Sequence, residues 1–174
     1  MRKNKLVAPI LKWVGGKRQL IETFKTLFPK KITSYCEPFL GGGAVFFYLQ
    51  PKIAFVNDIN ENLMLVYKII RDDVENLIKE LSNFKNESNF FYDVRDWDRN
   101  LEKYNSLSDV KRAERIIFLN KTCYNGLYRV NNAGEFNTPF GNYKNPNIIN
   151  ATVLLAVSKY LKDAEISLTS MHHF

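Results

Sequence analysis

Residues 32–47, ITSYCEPFLGGGAVFF, decide the fold of this 174-residue chain. The first half predicts a β-strand over 32–39, because β-branched and aromatic residues favour an extended backbone and Glu37 precedes a proline. Glycines at 41–43 then permit a sharp turn and a close approach of the backbone to a ligand. The run 44–50 predicts the first turns of a helix. A strand, turn and helix in this order form the nucleotide-binding edge of open α/β sheets.

A second apolar strand is predicted over 53–58, and it ends at Asp58. In dinucleotide-binding folds an acid about 20 residues beyond the glycine turn binds a ribose hydroxyl. The turn lacks the Gly-x-Gly-x-x-Gly pattern, and Glu37 adds a second carboxylate that would repel a pyrophosphate. A cationic or neutral nucleoside cofactor, such as S-adenosylmethionine, is therefore favoured over a nicotinamide dinucleotide. The alternative is an ordinary tight turn in which Asp58 caps a helix, since glycine motifs alone are weak evidence.

Composition narrows the class of protein. The formal net charge is +7 and the hydrophobic fraction is 45%, which indicates a folded core and favours a polyanionic partner. The two cysteines, Cys36 in a predicted buried strand and Cys123 beside a predicted loop, form neither a disulfide framework nor a metal motif. The sequence has no signal peptide and no apolar run of membrane-spanning length. We expect a cytoplasmic protein that needs no metal.

Hydrophobic periodicity predicts helices over 17–28, 60–70, 74–84, 108–122 and 150–162, and a third strand over 165–170. Asp72 or Asp73 is expected to cap the helix over 74–84. In the helix over 108–122, Arg115 is expected on the exposed side together with Lys111 and Arg112. The polar and aromatic composition of residues 85–107 predicts a segment inserted into the sheet domain.

Residues 124–144 combine amides, aromatics, Arg129 and Lys144 with a single acid, Glu135. The cluster 131–134 between 128–130 and 136–138 predicts a β-hairpin with a glycine-containing loop. Amides, arginines and aromatics are the residue types that read base edges and stack on bases. Nucleic-acid contact is therefore favoured over an ordinary polar hairpin.

Taken together, the motifs resemble those of the N6-adenine DNA methyltransferases of the Dam type, which modify GATC. They are KWVGGK (12–17), EPFLGGGA (37–44), NDIN (57–60), FLNK (118–121), YNGL (124–127), GEFN (134–137) and PFG (139–141). They occur in the family's order and cover nearly the whole chain. The resemblance implies an α/β fold, a partial Rossmann-like methyltransferase sheet with an inserted helical and β-hairpin target-recognition subdomain. It divides the chain into a cofactor-binding half (1–84), the inserted DNA-binding subdomain (85–149) and a return helix and strand (150–174).

The resemblance also implies the functional residues. The S-adenosylmethionine pocket would be formed by Trp13, Lys17, Glu37, Phe39, Gly41, Gly43 and Asp58, with Asp58 on the cofactor ribose. Double-stranded DNA would be contacted by Lys12, Tyr124, Asn125, Leu127, Arg129 and Pro139. Lys12 and Arg129 would read guanines, and Tyr124 and Asn125 would fill the gap left by a flipped adenine. A monomer, with a cognate restriction endonuclease in the same system, is the expected setting.

One motif of the family is absent. The chain contains no Asp-Pro-Pro-Tyr, the segment that would carry the acceptor for the adenine amino group and the platform for the flipped base. His172-His173-Phe174 stands where the family often has an acid before an aromatic residue that contacts the cofactor adenine. We therefore expect the N-terminal portion of a longer enzyme or a truncated gene product, with little turnover alone and no assignable catalytic residue. The alternative is an inactive, DNA-binding remnant.

Overall fold

A computed structural model of the chain describes residues 3–170, except the side chains of Arg18 and Ser170. It has a mixed α/β architecture around a parallel three-stranded sheet in the order β1-β2-β3. The strands are β1 (Tyr35–Glu37), β2 (Ile53–Asp58) and β3 (Glu165–Ser170). The predicted bounds of β2 and β3 are confirmed, whereas β1 is shorter than the predicted 32–39. The expectations for His172, His173 and Phe174 lie outside the described residues.

The helices follow the predicted pattern with added short segments. They are α1 (Ile21–Phe24), α2 (Ala44–Leu49), α3 (Glu61–Asp72), α4 (Val74–Leu81), α5 (Ser88–Arg95), α6 (Leu101–Asn105), α7 (Asp109–Thr122) and α8 (Ala151–Asp163), with 3₁₀ turns at Lys17–Leu20, Asp96–Arg99 and Tyr124–Gly126. Side-chain caps fix the beginnings of the three long helices: Asn60, Ser108 and Asn150 accept from backbone N–H groups in the first turn. Asp73 stands at the N-cap of α4, but its side chain makes no capping bond. Between Lys3 and Thr169, no helix is long and apolar enough to cross a membrane.

The core lies on one face of the sheet. Ala54 and Val56 of β2 are buried in one cluster with apolar side chains of α2, α3, α7 and α8. On the opposite face, Cys36 pairs in register with Phe55, and Phe55 is 56% exposed. The prediction of a buried Cys36 is therefore wrong, because alternate residues of a strand point to opposite faces and the described helices cover only one. Cys123 is buried, and burial raises the pKa of its thiol to about 11.

The predicted helix over 17–28 is broken. A 3₁₀ turn leads into a single α-helical turn that ends at Phe24, and Leu20 and Leu27 of the predicted stripe are exposed. A helix of four residues forms too few hydrogen bonds to offset the cost of nucleation. Ile21, which is buried, is the residue that anchors this segment.

Arg115 is not on the surface of α7 but is 2% exposed. Its guanidinium donates to the carbonyl oxygens of Val94 (2.9 Å) and Arg95 (2.6 Å) and lies 2.7 Å from Oδ2 of Asp98. The same carboxylate oxygen accepts from the backbone N–H of Phe136 at 2.8 Å. The prediction of an exposed Arg115 is wrong, because this network ties α5, α7 and the hairpin region together.

Glu114, also on α7, makes the stability of the fold depend on pH. Its carboxylate is fully buried. Nζ of Lys111 lies 2.9 Å from Oε1, but neither carboxylate oxygen has a hydrogen-bond partner of good geometry among the described residues. Burial raises the pKa of Glu114 above its ordinary value of 4.5. The native state therefore binds a proton at Glu114 more tightly than the unfolded state does. As the pH rises above 4.5 and through the raised pKa, ionisation of Glu114 lowers the free energy of unfolding.

We expect Glu114→Gln to stabilise the protein at pH 7.5, and its advantage to shrink as the pH falls towards the ordinary value of 4.5. Urea unfolding at several pH values measures the difference. Glu75→Gln, an exposed change on α4, is the matched control. An advantage of Glu114→Gln that stays constant with pH would contradict the assignment.

Candidate functional site

A cleft of about 240 Å³ opens at the carboxyl ends of β1 and β2. It is lined by residues 13–17, by residues 39–42 with Ala44, and by Asp58. This is the edge at which the glycine turn predicted a nucleotide site. Of the seven residues predicted to bind a cofactor, five line the cleft: Trp13, Lys17, Phe39, Gly41 and Asp58.

The glycine turn is held in place by Asp58. The Asp58 carboxylate accepts from the N–H of Gly41 at 2.8 Å and from the N–H of Asn60 at 3.0 Å. Gly41 has φ 53°, and a Cβ there would lie 3.0 Å from the indole ring of Trp13. Gly43 has φ 68°, and a Cβ there would lie 2.7 Å from the ring of Phe47. Gly43 thus packs beneath the cleft, and the turn requires glycine at both positions.

Glu37 does not line the cleft. It is 6% exposed, and its two carboxylate oxygens are bound by Nζ of Lys17 (2.7 Å) and the hydroxyl of Tyr35 (2.8 Å). Lys17 also donates to the carbonyl oxygen of Phe39 at 3.1 Å. Of the two carboxylates expected in the pocket, Asp58 lines the cleft, whereas Glu37 lies outside it and its charge is matched by Lys17.

The wall of the cleft is aromatic. The ring of Trp13 stacks on Tyr128, with centroids 5.0 Å apart and an interplanar angle of 23°. Asn62 of α3 donates to the Tyr128 hydroxyl at 3.3 Å. On the rim, Phe39 is 66% exposed. No local sequence pattern indicates the role of Tyr128, because its partner Trp13 lies more than 100 residues away in the chain.

Residues 124–143, which follow α7, are here called the finger. Its antiparallel contacts are isolated bridges, Cys123 with Phe140 and Val130 with Phe136, rather than regular strands. The loop at 131–134 closes through a bond from the N–H of Asn131 to the carbonyl of Glu135 (2.9 Å). The predicted turn is confirmed, whereas the predicted strands are reduced to single bridges.

The residues predicted to contact DNA lie together on the finger and beside it. Tyr124, Asn125, Arg129 and Pro139 are exposed, and Leu127 is half-buried. Asn125 adopts a left-handed φ of 56°, and its N–H donates to the hydroxyl of Tyr143 at 3.0 Å. Arg129 is braced by Asn137, whose side-chain oxygen lies 2.7 Å from Nε.

Lys12 joins this group from the other end of the chain. Its side chain crosses the finger at Gly126, where an added Cβ would lie 2.5 Å from Cδ of Lys12. The Lys12 ammonium then lies 5.6 Å from the centre of the Tyr143 ring. The structure thus brings Lys12 into contact with the finger, while the next residue, Trp13, lines the cleft.

A larger cavity, of about 520 Å³, lies between α3, α6, α7 and the finger. Its lining mixes Lys68, Arg112 and Arg115 with Glu61, Asp98 and Glu135, so neither sign of charge predominates. It contains none of the predicted cofactor or DNA residues. We place the candidate site in the smaller cleft because the glycine turn and Asp58 form its walls.

The sequence matches a known protein family over most of its length. Residues 13–174 match the family described as D12 class N6 adenine-specific DNA methyltransferase. The chain is 49% identical over 178 residues to the Type II methyltransferase M.MjaIII of Methanocaldococcus jannaschii, covering 92% of this chain and 61% of that protein. It is 40% identical over 173 residues to the Type II methyltransferase M1.LlaDCHI of Lactococcus lactis subsp. cremoris, covering 98% and 61%.

A third relative, the DNA adenine methylase of Salmonella typhi, is 36% identical over 151 residues, which cover 84% of this chain and 51% of that protein. The chain thus spans between half and two thirds of the length of these relatives. The match over 13–174 includes the cleft, the finger and all three strands. The chain belongs to the D12 class N6 adenine-specific DNA methyltransferase family.

Proposed function

We propose that the chain forms the cofactor-binding and target-reading part of an S-adenosylmethionine-dependent enzyme that methylates adenine N6 in duplex DNA, within the short site GATC. Residues 1–84 and 150–174 would supply the cofactor side, and residues 85–149 the DNA-binding subdomain. A monomer in the cytoplasm is the proposed state. Two relatives are named Type II methyltransferases, which favours a cognate restriction endonuclease as a partner in the same system.

The observation that carries this proposal is the packing of two consecutive residues. Trp13 lies against the glycine turn, and Lys12 lies across Gly126 of the finger. A cofactor in the cleft and a base read by the finger would therefore be held by adjacent positions of one backbone segment. Methyl transfer requires that proximity, because fixed orientation of the two reactants supplies a large part of the rate.

The residues of the cleft fit S-adenosylmethionine in chemical type. Trp13 and the exposed ring of Phe39 offer apolar surface for a nucleobase. The Asp58 carboxylate faces the cleft and keeps lone pairs beyond the two that the backbone N–H groups use, so it can accept from ribose hydroxyls. When bound, the cofactor supplies an electrophilic methyl group. Trp13 and Asp58 would orient it, and the aromatic wall would exclude water.

On the DNA side, arginine and lysine suit the O6 and N7 acceptors of guanine. Arg129 is held in a fixed direction by Asn137 and is exposed. Tyr124 and Asn125 at the tip of the 3₁₀ turn would occupy the space left by an adenine that rotates out of the duplex. The formal net charge of +7 favours the approach to a polyanion.

Three measurements on one sample test the proposal: calorimetry with S-adenosylhomocysteine and with NAD, binding of duplexes that contain or lack GATC, and transfer of a labelled methyl group. We expect the chain to bind S-adenosylhomocysteine and not NAD, and to prefer the GATC duplex. We expect little methyl transfer from this chain alone, because it contains no Asp-Pro-Pro-Tyr, and transfer to the GATC duplex once a segment carrying that motif is joined to it. Binding with no transfer even then would support the second candidate, a DNA-binding chain without chemistry. Robust transfer by this chain alone would contradict the role expected for Asp-Pro-Pro-Tyr, and binding of neither ligand would contradict both candidates.

Arg129→Ala should weaken binding to the preferred duplex by about tenfold or more, the usual contribution of one guanine contact. Arg129→Lys keeps the charge but loses the two-pronged geometry, so it should lose sequence preference while it retains most of the salt dependence. Lys79→Ala, which removes one exposed charge from α4, is the control. If Arg129→Ala and Lys79→Ala weaken binding to the preferred duplex equally, Arg129 contributes only its charge and does not read a base.

A further inference from the structure

Asn120 is a buried amide whose side chain joins two distant parts of the chain. It lies in the last turns of α7 and is 1% exposed. Its Oδ1 accepts from the N–H of Lys12 at 2.9 Å, and its Nδ2 donates to the carbonyl of Lys12 at 2.8 Å. The same Nδ2 donates to the carbonyl of Gly126 at 3.1 Å. One amide therefore satisfies both backbone groups of Lys12 and attaches them to the finger.

This pairing fixes the direction of the Lys12 side chain. Two opposed hydrogen bonds to the backbone N–H and C=O of one residue resemble a hydrogen-bonded pair of an antiparallel β-ladder and define the orientation of that residue. The Lys12 stem then passes over Gly126, where there is no room for a Cβ, and ends beside the Tyr143 ring. Lys121, the next residue of α7, donates to the carbonyl of Ile10 and so fixes the backbone two residues before Lys12.

Arg129 is held by a separate set of contacts. Its guanidinium is bound by the side chain and the carbonyl of Asn137, within the finger itself. None of the hydrogen bonds described for the Asn120 side chain reaches Arg129 or Asn137. The two predicted guanine readers thus depend on different supports.

We propose that Asn120 is a positioning residue that sets base discrimination at the position read by Lys12, and not at the position read by Arg129. This inference rests on the proposed function, since it assumes that the finger and Lys12 read duplex DNA. Asn120 itself does not contact DNA in this proposal. It acts through the Lys12 backbone, and it couples the segment that carries Trp13 to the finger.

The test is a discrimination profile: the affinity of the chain for its preferred duplex and for duplexes changed at one base pair at a time. Lys12→Ala and Arg129→Ala define which base pair each residue reads. Asn120→Asp has the same shape but replaces the donor Nδ2 by an acceptor that faces two carbonyl oxygens. It should lose about tenfold in discrimination at the base pair that Lys12→Ala affects, and retain discrimination at the base pair that Arg129→Ala affects.

A double variant separates positioning from general damage. If Asn120 acts through Lys12, Asn120→Asp should cause no further loss at that base pair in a Lys12→Ala background. Thr122→Val is the matched control, because this buried hydroxyl of α7 donates within its own helix to Phe118 and does not touch Lys12. Its profile should be that of the unaltered chain.

Three results would overturn the inference. Asn120→Asp could lose discrimination equally at every base pair, its loss could add to that of Lys12→Ala, or it could lose no discrimination at all. If Asn120→Asp does not fold, Gly126→Ala decides in its place, because the added Cβ would displace the Lys12 stem directly. A profile for Gly126→Ala that matches the unaltered chain at the Lys12 position would then count against it. An unaltered chain without any sequence preference would overturn the proposed function itself, and this inference with it.

Discussion

Arg115→Ala should destabilise the chain by about 3–5 kcal/mol, the usual cost of removing one partner of a buried ion pair. The change leaves Asp98 without its closest cation and leaves the carbonyl oxygens of Val94 and Arg95 without the Arg115 donors. It also removes a cation that lies 5.1 Å from the centre of the Tyr104 ring. Because domains of this size are stable by only about 5–15 kcal/mol, the loss would be a large fraction of the total.

Urea unfolding gives the free energy, and two further variants show where it comes from. Arg112→Ala removes a half-buried arginine of the same helix, paired with Asp109, and should cost less than about 1 kcal/mol. The double change Asp98→Asn with Arg115→Met removes both charges and should recover part of the loss, since part of the cost is a buried Asp98 carboxylate that keeps only Arg99, 3.2 Å from its Oδ1, as a counter-ion. A cost below about 1 kcal/mol for Arg115→Ala, or no recovery in the double variant, would refute the assigned role of this pair.

Arg115 also illustrates what the sequence could and could not predict about the fold. Strands β2 and β3 have the predicted bounds, and α7 begins within one residue of the predicted start at Ser108. These features depend on local patterns of a few residues. Helical periodicity assigns Arg115 to the exposed side because its neighbours there are charged. Its partner Asp98 lies 17 positions earlier, and no local pattern indicates that the two side chains meet.

The same limit applies to the candidate site. The glycine turn and Asp58 are recognisable in the sequence because the backbone geometry there requires those residue types. Tyr128 and Asn120 are not, since their partners Trp13 and Lys12 lie more than 100 positions away. Glu37 lies at the predicted strand end, but its ion pair with Lys17 depends on the path of residues 13–17. Sequence patterns therefore predicted the edge of the sheet that carries the cleft, and tertiary contacts decide which side chains line it.

Asp58→Asn should lower the affinity for S-adenosylhomocysteine by about 10- to 100-fold, the range expected when a hydrogen bond to a charged group is lost. The carboxylate has two tasks in this proposal. It accepts from the N–H groups of Gly41 and Asn60, and it would accept from the ribose of the cofactor. An amide can keep one backbone bond, but it presents N–H groups where the second bond and the ribose need an acceptor.

A ligand change separates the two tasks. In the unaltered chain, S-adenosylhomocysteine without its ribose 2′-hydroxyl should bind more weakly than the complete ligand, whereas in Asp58→Asn the two should bind alike. Asp72→Asn, an exposed carboxylate of α3 that pairs with Arg71, is the control for the loss of charge. If Asp58→Asn still discriminates between the two ligands, the carboxylate supports only the glycine turn, and the ribose must be bound by another group of the cleft. Equal binding of both ligands by the unaltered chain would remove the reason for placing the ribose at Asp58.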